Sequence, residues 1–273
     1  YAPMGGNSPQ VLLDDALTKR SAGEVDCALL SGGEALQTMI ARLKSGLSLD
    51  WLDEPGGKPE MIGNNSIGFS EHEKLHGMDL PTNVYPLFAN ALRGQENKTA
   101  KTHLKESSEL FSEFSKVAAN NPLSWFPTYR SSREISEVTP ENRMIGFPYT
   151  KYLNSIIRVN MSSAFIMMSQ KKADELSIPS SKRIYVHGCS ILDDIWNVTE
   201  RPNFHSSPAI NKCVNQTLDK AEISLSDIKY FDLYSCFPSA VQIAKKELNI
   251  PQEKKDLTVT GGLPYFGGPG NSY

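Results

Sequence analysis

The chain has 273 residues, a formal net charge of −3 and 22% charged residues. A chain of this length can bury a full hydrophobic core, in one large domain or in two smaller ones. The charge balance excludes the basic surface of a nucleic-acid-binding protein, and no run of about 18 apolar residues predicts a membrane span. The cysteines at 27, 189, 213 and 236 form no C-x-x-C pair. Their spacing indicates reduced thiols in a cytoplasm, with neither a zinc site nor a disulfide framework.

The first third of the chain follows an α/β pattern. Residues 12–22 have helical spacing, and the apolar run 25–30 predicts a buried strand. Gly32-Gly33 is expected to end that strand, and helical spacing resumes over residues 34–43. We expect Cys27, in the middle of the strand, to be a packed core residue.

From about residue 46 the composition changes to turn-rich sequence with few clean strands. Two helices with polar faces are predicted within this middle part, at residues 80–93 and 100–120. The histidines here and beyond that lie in polar contexts are expected to be solvated, and these are His72, His103 and His205.

After Pro148 the α/β pattern returns. Residues 154–175 predict one long helix with an apolar stripe. Further strands and helices are predicted in alternation, namely strand 183–187, helix 207–221, strand 228–233 and helix 239–249.

A candidate site lies where the last predicted strand meets its helix. Cys236 stands two residues before Pro238, and a proline suits the first turn of a helix. A thiol there lies near the positive end of the helix dipole, which favours the thiolate. The later run 261–270 contains five glycines, whose backbone N–H groups can approach a ligand closely. We expect these two loops to converge on one cleft that holds a thioester or another acyl group.

Several runs resemble the thiolase superfamily, in the branch of acetyl-CoA acetyltransferases and sterol-carrier-protein-type thiolases. Residues 232–241, 258–262 and 267–270 look like parts of its C-terminal half. Residues 23–35 look like its G-D-A-x-x-x-x-x-G-G-x-E-S strand and turn, and residues 159–164 like its L-N-D-G-A-A helix. The stretch that contains His76 occupies the position of its H-M-G loop, and together these matches cover essentially the whole chain.

The resemblance implies a layered α-β-α-β-α fold of the α/β class with an inserted loop domain. Residues 1–49 would end the N-terminal half, residues 50–150 would form the loop domain that helps to bind coenzyme A, and residues 151–273 would begin the C-terminal half. The chain would then be a fragment. The family further implies a cytoplasmic homodimer of lipid metabolism that uses a CoA thioester as substrate, with no permanently bound cofactor and no metal.

Residues of the family's active site differ here. The nucleophilic cysteine of its C-x-S loop corresponds to Gly5 or Gly6 of the run 5–8, and its G-H-P histidine corresponds to Gly268. Its N-E-A-F loop, written H-D-C-F in the sterol-carrier branch, is Tyr234-Ser235-Cys236-Phe237. Without the first thiol and its histidine, the usual double-displacement cycle has no covalent acyl carrier.

Three alternatives remain open. In an acyltransferase, Cys236 would be the nucleophile or the proton-transfer thiol, with His76 or His187 as base. The backbone N–H groups of the glycine loop would hold the thioester oxyanion. The residues assigned to CoA or substrate binding are Ser8, Gly261, Gly262, Gly267 and Gly268.

In the second alternative, Tyr234 would be the acid/base of a carbon–carbon cleavage of a β-hydroxyacyl-CoA. Thiolase-like aldolases that act on sterol side chains lack the first cysteine in this way and bind an OB-fold partner protein. In the third alternative, the protein binds acyl-CoA and performs no chemistry.

Overall fold

The chain folds into α-helices and short antiparallel ladders, seen in a computed structural model that describes residues 1–2, 5–51, 56–63 and 66–273. The helices are α1 (Ser8–Ser21), α2 (Leu36–Lys44), α3 (Glu71–Leu75), α4 (Pro81–Gln95), α5 (Ala100–Ala119), α6 (Ser132–Ser136), α7 (Gln170–Glu175), α8 (Pro208–Ala221) and α9 (Pro238–Glu247). The strands are β1 (Cys27–Glu34), β2 (Met144–Gly146), β3 (Tyr149–Thr150) and β4 (Met161–Met168).

The longest ladder joins two strands that lie more than 120 residues apart in the chain. Strand β1 pairs with β4 in antiparallel register along its whole length, so that Cys27 lies opposite Met168. Helix α1 covers one face of this ladder, where Ala16, Leu30 and Met167 form a small buried cluster. The opposite face exposes Leu29 and Ile166, which are paired across the ladder.

The long helix predicted at residues 154–175 is wrong. Residues 161–168 form β4, and only the segment Gln170–Glu175 is helical. Apolar side chains in this stretch fit a helical period locally, but the strand gains a full ladder of backbone hydrogen bonds from β1. That partner lies more than 120 residues away, so local periodicity does not reveal it.

The predicted break at Gly32-Gly33 is also wrong, because both glycines lie inside β1. An ideal Cβ on Gly32 would lie 2.7 Å from Oγ of Ser272. The glycine therefore allows the strand to pass close to the segment near residue 272. Cys27, at the start of the same strand, is exposed and not packed in the core.

The main core lies between α4, α5 and α9. Phe111 and Phe114 on α5 are fully buried and stack on each other, with ring centroids 5.1 Å apart. The start of α5 is set by Thr99, whose side chain accepts a hydrogen bond from the N–H of Thr102. The prediction for His103 is wrong, because this α5 residue is buried and not solvated.

Two predicted strands have no partner strand in the described part of the chain. Residues 183–187 and 228–233 contain no strand. Ile184 is 93% exposed and Tyr230 is also exposed. One backbone hydrogen bond, from Leu233 N–H to the carbonyl of Leu257, anchors the second segment beside the later glycine loop. The backbone N–H and C=O groups of a strand need hydrogen-bond partners on a neighbouring strand. In these two exposed segments solvent supplies those partners instead.

Glu73 connects the short helix α3 to the segment near residue 199. Its carboxylate accepts hydrogen bonds from Ser70 N–H, as part of a capping box, and from both the N–H and the hydroxyl of Thr199. Burial raises the pKa of Glu73, but these hydrogen bonds outweigh it and lower the pKa to about 2.

Asn142 has a similar role near α6. The side chain is buried, and its amide donates to the carbonyls of Glu134, Ile135 and Glu137. Its oxygen accepts a hydrogen bond from Tyr152 N–H. Every hydrogen-bonding group of this amide is therefore engaged with backbone.

Candidate active site

The two loops predicted to converge lie against each other. Leu263 N–H donates to Oγ of the fully buried Ser235, at 3.1 Å. An ideal Cβ on Gly262 would lie 2.6 Å from the same oxygen and 2.7 Å from the ring of Phe114. Glycine is required at this point because the loop passes between a hydroxyl and an aromatic ring, at a φ of 74°.

Cys236 lies inside the protein, below these loops. Its side chain is 7% exposed and belongs to the main core. Burial raises the pKa of the Cys236 thiol to about 12, although contact with the hydroxyl of Tyr85 acts in the opposite direction. The sulfur is therefore a neutral thiol at physiological pH, and desolvation exceeds any effect of the α9 dipole.

Tyr234 opens instead onto a cleft of about 410 Å³ at the surface. The other residues that line this cleft are Gly6, Asn7, Gln10, Asp232 and Tyr273. Tyr234 is 38% exposed, and its hydroxyl makes no hydrogen bond to any described residue. Burial, followed by the nearby Cys236 and Tyr273, raises the pKa of Tyr234 above its ordinary value, so the phenol is protonated at neutral pH.

Gly6 and Tyr234 fit together closely. An ideal Cβ on Gly6 would lie 2.4 Å from Cζ and 2.6 Å from the hydroxyl oxygen of Tyr234. The phenol therefore fills the space that a side chain at position 6 would need. Gly6 lies two residues before α1, so this phenol also lies near the N-terminal end of that helix.

Asp232 and Tyr273 line the same cleft, and neither of them was predicted as a site residue. The carboxylate of Asp232 accepts hydrogen bonds from Thr258 Oγ1 at 2.8 Å and Val259 N–H at 3.1 Å. The Tyr273 hydroxyl donates to it at 3.4 Å. The sequence carries one signal for Asp232. It stands two residues before Tyr234, and residues two apart in extended chain face the same side. Tyr273 carried no such signal.

The glycine loop uses most of its N–H groups within the chain. Gly261 donates to Thr258 Oγ1, Gly262 to Thr260 Oγ1 and Gly268 to the carbonyl of Ile156. Within the described part of the chain, only the N–H of Gly267 among the four predicted site glycines has no hydrogen bond.

Close packing explains why glycine occupies the remaining three positions. An ideal Cβ on Gly261 would lie 2.6 Å from the backbone of Ala118. One on Gly268 would lie 2.3 Å from Ser155 Oγ, and one on Gly267 would lie 2.7 Å from Met161 Sδ. The structure leaves no room for a histidine side chain at position 268, where the family has its catalytic one.

The other predicted site residues lie apart from Tyr234. His76 is exposed at the end of α3, where its ring contacts His72, and no hydrogen bond or ring contact between described residues joins it to Tyr234 or Cys236. His187 is exposed on the unpaired segment 183–187. Ser8 is buried at the start of α1, where its hydroxyl donates to the carbonyl of Gly5 at 2.6 Å.

No group of three or more His, Cys, Asp or Glu side chains among the described residues is arranged to hold a metal ion. None of their helices combines the length and apolar character that crossing a bilayer requires.

Solved structures show the same fold. A monomeric SCP2-thiolase-like protein type 1 from Mycobacterium smegmatis matches with a TM-score of 0.79 and 34% sequence identity, over 99% of this chain and 53% of that chain. The chain thus spans about half the length of this relative. No protein-family profile and no curated protein sequence matches the chain.

Two more distant structures share the fold alone. An Ltp2–ChsH2(DUF35) aldolase matches with a TM-score of 0.66 and 15% identity, over 96% of this chain and 66% of that chain. The dimeric peroxisomal thiolase of Saccharomyces cerevisiae matches with a TM-score of 0.61 and 14% identity, over 98% of this chain and 65% of that chain. From its fold and its 34% identical relative, the chain belongs to the SCP2-thiolase-like group of the thiolase superfamily.

Proposed function

We propose that this chain forms the reactive half of a thiolase-like enzyme that breaks or makes a carbon–carbon bond beside a CoA thioester without an acyl-enzyme intermediate. Tyr234 is the proton donor of the reaction, and the substrate is a β-hydroxyacyl-CoA. This is the aldolase alternative of the sequence analysis, and it keeps the substrate class and bond type of the superfamily.

The observation that carries the proposal is the position of the Tyr234 hydroxyl. Its oxygen lies 2.6 Å from an ideal Cβ on Gly6, one of the two glycines to which the resemblance assigns the family's nucleophilic thiol. The same hydroxyl has no hydrogen-bond partner among the described residues and opens onto the cleft. A free, protonated phenol at this point suits proton donation to a reacting carbon or oxygen.

In the proposed cleavage, a base removes the proton of the β-hydroxyl group. The Cα–Cβ bond then breaks to give a carbonyl compound and the enolate of the shorter acyl-CoA. Tyr234 then gives its proton to Cα. Asp232 is the carboxylate that lines the same cleft, and we assign it as the base, directly or through Tyr273.

The burial of Cys236 argues against an acyltransferase in which Cys236 is the nucleophile. A nucleophile must reach the substrate as a thiolate, whereas this thiol is buried and its pKa is raised to about 12. Within the described part of the chain, only one of the four predicted site glycines of the loop keeps an unengaged N–H, too few for an oxyanion hole of the usual kind.

The partner of the proposed enzyme follows from the same assignment. One of the fold neighbours is an aldolase with a DUF35 component. We propose that this chain likewise works with a partner protein, and that this partner has the OB fold implied by the resemblance. The same proposal keeps a CoA thioester as ligand and a cytoplasmic location. The predicted homodimer stays a prediction, since the relative from Mycobacterium smegmatis is described as monomeric.

Three assays on one preparation separate the alternatives. We expect the protein to release an aldehyde or ketone from a β-hydroxyacyl-CoA, and Tyr234→Phe to abolish this release while Cys236→Ala retains it. Acetyl-CoA exchange that is lost in Cys236→Ala would instead establish the acyltransferase. Measurable CoA binding with neither reaction, in the presence of the OB-fold partner, would establish the binding protein.

A further inference from the structure

A second pocket lies between the first half of α5, the end of α4 and α9. It has a volume of about 200 Å³. None of its lining residues belongs to the Tyr234 cleft. Leu92 and Leu110 form an apolar part of its wall, and most of the other lining side chains are polar or charged.

His103 is the unusual member of this pocket. The side chain is 1% exposed, yet neither ring nitrogen has a hydrogen-bond partner among the described residues. Burial lowers the pKa of His103, so the ring is neutral and presents one N–H donor and one acceptor nitrogen. Buried polar groups are normally paired, so two unpaired nitrogens in one lined cavity indicate a missing partner.

Gln242 provides a second unpaired group in the same wall. Its amide nitrogen donates to Ser107 Oγ at 3.0 Å, whereas its buried oxygen accepts no hydrogen bond from a described residue. Lys245 lies beside it and is also buried, and its ammonium donates to the carbonyls of Gln252 and Lys254. An ammonium has three N–H groups, so one of them remains available.

Five of the six charged side chains that line the pocket form salt bridges with one another. Lys98 pairs with Glu96 at 2.8 Å and with Glu106 at 2.6 Å, and Lys255 pairs with Glu109 at 3.3 Å. The sixth, Lys245, makes no salt bridge with a described residue and donates to two carbonyls. The unpaired donors and acceptors, more than the charges, therefore decide which ligand fits.

From these contacts we propose that the pocket binds a small uncharged molecule through a primary carboxamide. A primary carboxamide carries two N–H donors and one carbonyl acceptor. The donors match Gln242 Oε1 and the acceptor nitrogen of His103, and the carbonyl matches the N–H of His103 or of Lys245. A carboxylate lacks the N–H donors, and an ammonium lacks the acceptor. Leu92 and Leu110 would pack against the apolar remainder of the molecule.

Nicotinamide is a suitable probe, and nicotinate is its charged counterpart of the same shape. In an NMR titration we expect nicotinamide to shift the ring signals of His103 in a saturable manner, whereas nicotinate leaves them unchanged. Gln242→Leu should weaken nicotinamide binding at least tenfold.

The matched control is Ser107→Ala, which removes the other hydrogen bond of Gln242 but keeps its free oxygen. This variant should bind nicotinamide within a factor of about three of the wild type, as should Lys116→Ala on the exposed face of α5. Chemical denaturation of each variant checks that the fold is retained. The proposal is overturned if nicotinamide gives no saturable shift, if nicotinate binds equally well, or if Gln242→Leu binds as the wild type does. The first of these results would mean that water alone fills the pocket.

Discussion

Replacing Gly6 by alanine tests the close fit between position 6 and Tyr234. The new Cβ would lie 2.4 Å from Cζ of Tyr234, at least 1 Å inside the 3.4–4 Å of ordinary contact, and the two next nearest atoms also belong to this ring. Overpacking of this kind costs about 1–3 kcal/mol. Because all three nearest atoms belong to one side chain, Tyr234→Ala should relieve nearly the whole cost, to within about 0.5 kcal/mol.

The assay is urea denaturation of the wild type, the two single variants and the double variant, analysed as a double-mutant cycle. Gly5→Ala is the matched control, because its new Cβ would meet only the movable side chain of Asn7, at 3.1 Å, and that of Ser8, at 3.7 Å. A coupling free energy of about 1–3 kcal/mol between positions 6 and 234 is expected, because Tyr234→Ala relieves nearly the whole overpacking cost. A coupling near zero, with Gly6→Ala no more destabilising than Gly5→Ala, would refute the claim that the phenol fills this space.

Three further predictions concern buried side chains. Glu73→Gln should destabilise the protein at neutral pH by about 1–3 kcal/mol, because Ser70 and Thr199 lose a charged acceptor. Since the pKa of Glu73 is lowered to about 2, the wild type should lose this stability as the pH falls from about 4.5 towards 2. If Glu73→Gln lost stability over the same pH range, Glu73 would not be the group responsible. Asn142→Ala should cost about 2–4 kcal/mol in thermal or chemical unfolding, because it removes three hydrogen bonds to backbone carbonyls and the acceptor of Tyr152 N–H. A cost below about 0.5 kcal/mol would show that the amide is not needed. In the native protein at pH 8, iodoacetamide should modify the exposed Cys27 and leave Cys236 unmodified, as peptide mapping by mass spectrometry can test, and rapid labelling of Cys236 would show that its thiol is accessible.

Local signals predicted the helices better than the strands. The amphipathic patterns of α4, α5, α8 and α9 were sufficient, because the sequence displays within a few turns the apolar stripe by which each helix packs on the core. Strand β4 was predicted as a helix because its pairing with β1 is non-local. For the same reason the predicted strands at 183–187 and 228–233 could not be judged from their sequences, which show β-propensity but not the presence of a neighbour.

For the candidate site, the resemblance selected the right loops but not all of their roles. It identified the run that contains Tyr234 and the loss of the thiol side chain at Gly5 or Gly6. It could not show that Cys236 faces the core while Tyr234 faces the cleft, because both belong to one short extended run. Tyr273 reaches the cleft from the far end of the chain, and such a contact has no local signature. His103 was misjudged because its neighbours in sequence are polar, whereas its neighbours in space are α9 and the end of α4.

The role of Tyr234 is tested most directly by comparing Tyr234→Phe with the wild type in both β-hydroxyacyl-CoA cleavage and CoA-thioester binding. The hydroxyl makes no hydrogen bond to a described residue, so we expect its removal to leave folding and binding nearly unchanged. The rate of cleavage should fall by about 10²–10⁴-fold, the usual contribution of a positioned proton donor. Cleavage at the wild-type rate in Tyr234→Phe, with binding intact, would contradict the account.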